Sequence, residues 1–414
     1  MLGHARFVMG WVTCAILFCQ MGSGAEVQDA SPAPDLSSVT AAAISANAGE
    51  ADQAVAQLRA TGPAGLAALM GAYRDDIKAH LINPQNADDP QRWERISSAL
   101  DRVASQRDAW ACGLYWYTDL AAAQAAAKAS GKPILSLHML GQLDQELSCA
   151  NSRFFRTTLY PNRTVQDALR DGFVLHWKSE RAVPVITIDF GDGRKIVRTI
   201  TGNSVHYILD ADGRVIDALP GLYGVQPFLH RLKDAAAIEL ALRQPASDPE
   251  RVAMLQDWHR RQIAGIDKAA QNDLRALGLA ELPATDDLAA WQKFGALHFN
   301  EMQVDAGVQA IMIEKNPDAL RAGRMAMGKF IVETPLVKAV RNLESTIAQD
   351  CIRNDYVLHR QIHQMLADGG DKAGLEAFNN TVYSRLFLTP PSDPWLGLAP
   401  PDAYSALDHN GLVH

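Results

Sequence analysis

The stretch 116–139 constrains the fold more than any other part of the chain. Thr118 can cap a helix whose first turn carries Asp119, an Ala-rich segment follows, and Gly131 can end the helix. Directly after this glycine, residues 133–139 form an almost continuous apolar run, as expected for a strand buried on both faces. A helix followed at once by a buried strand predicts an α/β unit.

The alternation of strand and helix continues through the region 110–245. Because apolar runs with strand character recur there between turn signals, the pattern predicts a second core strand, two hairpins and a closing helix. The second core strand is predicted at Phe173–Trp177, the hairpins at 183–199 and 205–219, and the helix from about Gln226. Strands 133–139 and 173–177 are expected to be parallel neighbours, with 205–209 antiparallel in the same sheet.

This order of elements, with Gly131-Lys132-Pro133 opening the first core strand, resembles the thioredoxin-like superfamily. It is most similar to the branch whose members begin Trp-x-x-Asp-Leu and continue into an Ala-rich helix, here from Trp116. The resemblance covers 110–245 and implies an α/β thioredoxin-like central domain, flanked by an N-terminal helical segment and a C-terminal all-α domain.

Dithiol chemistry in such a domain needs a thiolate at a helix N-terminus and a second cysteine three residues later. A helix is predicted directly after the first core strand, and its opening residues, Gly141–Asp144, contain no cysteine. Gly202–Val205 replaces the cis-proline that the family places before its third core strand. Cys149 is the remaining catalytic candidate, but its predicted place is the far end of the helix, where the dipole raises a thiol pKa. It is a buried structural thiol, a disulfide partner of Cys112 or Cys351, or a single reactive thiol.

The N-terminus has the pattern of an export signal. In residues 1–25 an apolar run, Phe7–Phe18, follows His4 and Arg6, and Ser23-Gly24-Ala25 offers small residues for cleavage. A retained anchor is the alternative. Export predicts a periplasmic or extracellular protein, and its partner is then expected to be a protein of the cell envelope. No transmembrane segment is predicted after the signal.

Two segments lie between the signal and the central domain. Residues 26–40 are rich in Pro, Ser and Asp and are predicted to be a disordered linker. Residues 41–109 are predicted to be helical, and 54–66 resembles a single HEAT-type helix pair; a helical lead-in packed on the next domain is the alternative.

The C-terminal region, 248–414, is predicted to be helical, with a Pro-rich tail from Thr389. One helix, predicted from Pro335 to about Asp368, carries four chemically active side chains at steps of four: Cys351, Asp355, His359 and His363. Histidines spaced by four can share a metal, so Asp355, His359 and His363 are candidate ligands. The alternative is a buried Asp355–His359 pair that ties the helix to its neighbours.

Three further residues are candidates for binding a ligand in the central domain. His138 and His206 lie on predicted core strands, and Asn203 lies in the segment that replaces the cis-proline. The chain has 414 residues and a net charge of −8 without a basic run, which gives no electrostatic case for nucleic acid. No cofactor is predicted, because no phosphate-binding glycine loop is found.

These observations favour an exported binding or assembly module without a dithiol site. A thiol-based redox protein that uses Cys149 is the first alternative. Metal or small-ligand binding by the C-terminal helical domain is the second.

Overall fold

The computed structural model describes residues 36–84, 89–244, 247–298, 306–315, 346–399, 404 and 406–412. The predicted signal peptide lies outside these residues, as does the predicted helix start at Pro335. The linker predicted at 26–40 overlaps the first helix, Ser37–Ala42, so its last residues are helical.

The described elements form a mixed α/β region with helices before and after it. The helices are α1 (Ser37–Ala42), α2 (Ala48–Ala60), α3 (Pro63–Ala72), α4 (Arg74–Ile82), α5 (Pro90–Ala104), α6 (Leu120–Ser130), α7 (Ala150–Phe154), α8 (Arg163–Gly172), α9 (Val225–Ala241), α10 (Asp248–Leu277), α11 (Leu288–Leu297), α12 (Ala306–Lys315), α13 (Arg360–Ala367) and α14 (Leu375–Arg385). The strands are β1 (Trp116–Tyr117), β2 (Ile134–Leu140), β3 (Val174–Arg181), β4 (Val185–Asp189), β5 (Lys195–Thr199), β6 (Ser204–Leu209) and β7 (Val215–Pro220).

Five strands form the central sheet in the order β1-β3-β2-β6-β7. Strand β3 is parallel to β1 and β2, whereas β6 is antiparallel to both β2 and β7. In register, Ile134 lies opposite Val174 on one side and Leu209 on the other. The predicted pairing of these three strands is therefore confirmed. Because β2 is buried at every position, helices must cover both faces of the sheet there.

Helix α6 begins one residue later than its sequence pattern suggests. Asp119, rather than Thr118, is the N-cap, and its carboxylate accepts a hydrogen bond from the Ala122 amide at 2.9 Å. Gly131 ends the helix in the left-handed conformation at φ 68°, which only glycine adopts without strain.

The helix predicted directly after β2 is wrong. Gly141 takes a positive φ of 75° and its amide donates to the Arg181 carbonyl, which turns the chain into a loop. This loop buries Leu143 completely, and the next helix, α7, begins only at Ala150. Burial of one apolar side chain thus outweighs the local helix signal.

The N-terminal helices pack around their own apolar core. Helices α2 and α3 occupy the predicted HEAT-like pair, and they approach so closely that a Cβ on Gly65 would lie 2.0 Å from the Leu58 carbonyl oxygen. Helix α5 begins at Pro90 and is capped by Asp89.

The C-terminal helices cover the sheet and its β7 edge. Helix α10 starts as predicted at Asp248, where Ser247 and Glu250 form a capping box. Beyond a helical segment at 346–353, the chain passes through a π-helix, Asn354–His359, into α13. The tail is held by Arg181, whose guanidinium donates to the carbonyls of Thr389 and Asp393.

Within the part of the chain that the structure describes, no helix combines the length and apolar composition needed to cross a membrane.

Candidate metal centre

Four ionisable side chains meet where the edge strand β7 contacts the C-terminal helices. Asp217 comes from the middle of β7, His259 from α10, His359 from the end of the π-helix and His363 from α13. Asp217 is 1% exposed and all three histidines are 0% exposed. A carboxylate and three imidazoles thus share one site that excludes water.

The π-helix explains why both C-terminal histidines point inward. In a π-helix each amide bonds to a carbonyl five residues earlier, so the segment Asn354–His359 changes the angle between side chains on either side of it. The rings of His359 and His363 lie 4.2 Å apart between centroids. A helical wheel drawn for an uninterrupted α-helix places His363 away from the apolar face. The structure buries His363, because the π-helix changes the helical register before it.

The donor atoms of the cluster lie within hydrogen-bond distance or close to it. His359 Nε2 lies 3.1 and 3.2 Å from the two Asp217 oxygens. His363 Nδ1 lies 3.7 Å from Asp217 Oδ1 and 2.9 Å from His259 Nδ1. One donor atom each from Asp217, His359 and His363 lies within 4.8 Å of the other two.

These separations match the edges of a zinc coordination tetrahedron. Zinc binds imidazole nitrogen and carboxylate oxygen at about 2.0–2.2 Å, which places neighbouring ligand atoms about 3.3 Å apart. The Asp217–His359 and Asp217–His363 distances of 3.1 and 3.7 Å bracket this value. His259 Nδ1 lies 2.9 Å from His363 Nδ1 but is not part of the group of three whose donor atoms all lie within 4.8 Å of one another.

Asp355, a predicted candidate ligand, lies across the His359 ring from Asp217 and outside the group formed by Asp217, His359 and His363. Its carboxylate lies 3.3 Å from His359 Nδ1 and accepts two hydrogen bonds from the Arg231 guanidinium, at 2.6 and 3.0 Å. A carboxylate on the far nitrogen of a histidine fixes the ring so that its other nitrogen faces the metal. The predicted Asp355–His359 pair is present, and Arg231 anchors it.

Three buried polar atoms around the cluster have no hydrogen-bond partner among the described residues. They are His259 Nε2, His363 Nε2 and the Tyr223 hydroxyl, and the Tyr223 ring lies 6.3 Å from that of His359. Orphaned buried polar atoms are rare, because each costs about 1–3 kcal/mol. The two Nε2 atoms lie across their rings from the Nδ1 atoms that face the cluster, so a cation held at the Nδ1 atoms would not pair with them.

The electrostatics of the cluster prepare two histidines to act as neutral ligands. Burial lowers the pKa of His259 to about 4. Burial and the nearby His359 ring hold the pKa of His363 well below its usual range. Both imidazoles therefore keep a lone pair at neutral pH.

His359 and its two carboxylates behave differently. Burial alone would lower the pKa of His359, but Asp217 and hydrogen bonds to Asp217 and Asp355 raise it. For the two carboxyls burial acts in the opposite direction and would raise the pKa. His359 and Arg231 nevertheless hold the pKa of Asp355 below its usual range, and His359 and His363 hold the pKa of Asp217 below its usual range. Both His359 nitrogens face a carboxylate, so without a cation this ring is the imidazolium that balances them.

A cavity of about 530 Å³ opens beside the cluster, between α9, α10 and the helical segment around Ile352. Arg231 and Asp355 line its wall together with Gln262, whose amide oxygen accepts from Arg231 at 3.3 Å. A solute in this cavity therefore reaches the Asp355 carboxylate, whereas Asp217 is not among the residues that line the cavity.

The predicted ligand-binding residues of the central domain do not converge. His206 lies opposite Leu137 in the β2–β6 pairing, so the pleat places its side chain on the other face of the sheet from His138. His138 is bound to Glu180 and Ser136, and His206 to the Tyr160 hydroxyl. Asn203 donates to the Thr389 hydroxyl and so holds the tail.

Cys149 lies at the start of a helix, which corrects the prediction that it sits at the far end. It is the N-cap of α7, and its sulfur accepts a hydrogen bond from the Ser152 amide at 3.4 Å. The side chain is fully buried, and burial raises the pKa of the thiol. Cys112, Cys149 and Cys351 are all buried, and no disulfide joins any two of the described cysteines, so the disulfide alternative is wrong for these three residues.

Two members of the cluster escape sequence reasoning. Asp217 is the one charged residue in the run Val215–Leu219, and a charge at the centre of a buried strand signals an unusual partner. His259 follows Trp258 in a long amphipathic helix, without any motif to distinguish it.

No protein-family model matches this sequence, and comparisons with curated proteins and with solved structures give no significant match.

Proposed function

We propose that this protein is an exported binding module with a thioredoxin-like fold and no dithiol site, and that it holds one divalent transition-metal cation between its sheet and its C-terminal helices. The observation that carries the proposal is the buried group Asp217, His359 and His363, whose donor atoms have the spacing of a zinc tetrahedron. Imidazole and carboxylate donors suit Zn²⁺ and neighbouring first-row ions.

The burial of the donor set favours a structural role for the cation over a catalytic one. Catalytic zinc keeps one position open for water or substrate. Asp217 is 1% exposed and His359 and His363 are 0% exposed, so this site offers a substrate no open path. A cation there would join β7 to the π-helix and α13, which stabilises the packing of these C-terminal segments on the sheet.

The sheet order supports the thioredoxin-like part of the proposal. A parallel β2–β3 pair with an antiparallel β6–β7 hairpin beside it is what the resemblance implies. The thiol alternative loses support, because Cys149 is buried and its nearest partner groups are backbone amides and Ser152. Export and a partner in the cell envelope rest on the pattern of residues 1–25.

The test is metal content and metal-dependent stability. Protein purified from zinc-supplemented medium is analysed by plasma mass spectrometry, stripped with a chelator, and titrated with Zn²⁺ while thermal unfolding is followed. We expect one cation per chain and a midpoint that rises with Zn²⁺, by about 2.7 kcal/mol of added stability at a hundredfold excess over Kd.

The matched variants are His363→Gln and His230→Gln. His363 is a proposed ligand, whereas the His230 side chain on α9 is 66% exposed and pairs with Asp234. We expect His363→Gln to lose the bound cation and the response to Zn²⁺, and His230→Gln to keep both. A wild-type protein that carries no stoichiometric metal and does not respond to added Zn²⁺ or Co²⁺ would overturn the proposal.

A further inference from the structure

A cleft of about 640 Å³ lies between the N-terminal helix α3, helix α6 and the sheet edge formed by β1 and β3. Its floor consists of apolar residues that are at most 7% exposed: Leu114, Phe173, Val174 and Leu175. Ligand pockets have this size, are mostly apolar, and occur preferentially where two parts of a fold meet. The cleft shares no lining residue with the proposed metal centre.

Small side chains on both helices keep the cleft open. The residues that α3 and α6 contribute to its lining are alanines, a serine and a proline: Pro63, Ala64, Ala67, Ala126, Ala129 and Ser130. Two tyrosines also line it, Tyr115 and Tyr117, whose rings meet edge to face at 5.1 Å between centroids. The Tyr115 hydroxyl donates to the Arg59 carbonyl at 2.9 Å, which fixes this aromatic part of the wall.

The register of the sheet gives the length of the cleft. Tyr117 pairs with His176 of β3. Ile134 pairs with Val174, so Lys132, two residues before Ile134, lies level with the position two residues before Val174. The positions level with Lys132 and with Tyr117 are therefore four residues apart, or about 13 Å, because a parallel strand rises about 3.3 Å per residue. These two lining residues thus mark the ends of an elongated apolar space.

Two basic residues line the cleft, and their charges are not equally balanced. The Arg170 guanidinium donates to the carboxylates of Asp167 and Asp171 at 2.6 to 3.1 Å. The Lys132 ammonium donates to the Arg170 carbonyl at 3.1 Å and forms no ion pair with a described carboxylate. Arg170 and, to a smaller degree, Lys132 lower the pKa of Asp171, but this side chain is 67% exposed and already bound to Arg170. Because no described acidic residue lines the cleft, Lys132 leaves one positive charge unbalanced at one end.

We propose that this cleft binds an elongated apolar carboxylate with the length of a medium-chain fatty acid. The carboxylate accepts a hydrogen bond from Lys132, whose ammonium has three donors and uses one of them within the described residues. The chain lies over the apolar floor and reaches toward Tyr117. Since an extended chain spans about 1.2 Å per bond, about ten carbons fit into about 13 Å. A phosphate monoester carries about two negative charges at neutral pH, so a single ammonium would leave one of them unpaired.

The charge at the end of the cleft is tested with decanoate and with decanamide, which has the same chain but no charge. Calorimetric titration of the purified protein measures both dissociation constants. We expect decanoate to bind at least about tenfold more tightly, since a hydrogen bond to a charged group contributes enough free energy for this factor. Lys132→Gln should remove the preference. Lys128→Gln is the matched control and should keep it, because Lys128 is 60% exposed and pairs with Asp212 outside the cleft.

A bulky residue at the rim tests the location of the ligand. Ala129 lines the cleft and is exposed, so Ala129→Trp places an indole there without entering the core. Ala121 on the same helix is also exposed but does not line the cleft, which makes Ala121→Trp the matched control. We expect decanoate binding to be lost in Ala129→Trp and kept in Ala121→Trp.

Three results would overturn the proposal. The first is a wild-type protein that does not bind decanoate. The second is decanoate binding that Ala129→Trp leaves unchanged, because the ligand then occupies another surface. The third is a preference for decanoate over decanamide that survives Lys132→Gln, because the cation that selects the carboxylate is then a different one.

Discussion

Replacing Asp217 with asparagine should destabilise the metal-free protein more than any other single carboxylate-to-amide change at the sheet edge. The substitution keeps the shape of the side chain but removes the charge that faces His359 at 3.1 and 3.2 Å. Breaking a buried ion pair on one side costs about 3–5 kcal/mol. Asp355 still faces the other nitrogen of His359, so we expect the lower end, about 3 kcal/mol.

The assay is thermal and urea unfolding of chelator-treated protein at neutral pH. For a chain of 414 residues, an unfolding entropy of about 2.1 cal/mol/K per residue makes 1 kcal/mol correspond to about 1 °C, so the midpoint should fall by about 3–4 °C. Asp212→Asn is the matched control, since the Asp212 side chain is 54% exposed and pairs with Lys128 on the surface. If both substitutions lower the free energy of unfolding by the same small amount, Asp217 is not the centre of a buried charge network and the reasoning fails.

Three further outcomes follow from the same structure. Asp355→Asn should keep one cation per chain but weaken zinc affinity by about 10–100-fold in a competition titration, because Asp355 orients a ligand; unchanged affinity would argue against that role. Burial lowers the pKa of His206 to about 3 and of His176 to about 4. Below pH 6.5 the unfolded chain therefore binds more protons, and each group should remove about 1.4 kcal/mol of stability per pH unit down to its folded pKa. Urea unfolding between pH 7 and 4.5 measures this slope, which His206→Gln should reduce. Cys149 should react slowly with a disulfide reagent at pH 7, since it is buried and its pKa is raised; fast labelling of the folded protein would restore the thiol hypothesis.

The sheet could be predicted from the sequence because the patterns that mark its strands are local. Strands β2 and β3 are apolar runs bounded by a glycine or a helix, and the β6–β7 hairpin turns at Asp210–Gly213. Such patterns need no knowledge of distant residues. The loop after β2 could not be predicted, because it depends on where Leu143 is buried.

The metal centre could be predicted only in part, for a related reason. Its two C-terminal histidines are neighbours in the sequence, but Asp217 is separated from His359 by 142 residues and His259 from His363 by 104. The π-helix that turns His363 inward breaks the regular helical period on which wheel arguments rest. The sequence therefore shows which residue types are available, while tertiary packing decides which of them meet.

The position of the cluster on β7 links the proposed cation to the architecture. An edge strand exposes unpaired backbone groups, and covering it with helices is one way in which proteins prevent unwanted pairing. The helices that cover β7 do so through a buried polar cluster, whose charges cost free energy to desolvate. A cation that binds Asp217, His359 and His363 offsets this cost only when β7, the π-helix and α13 are together, so its binding free energy contributes to folding.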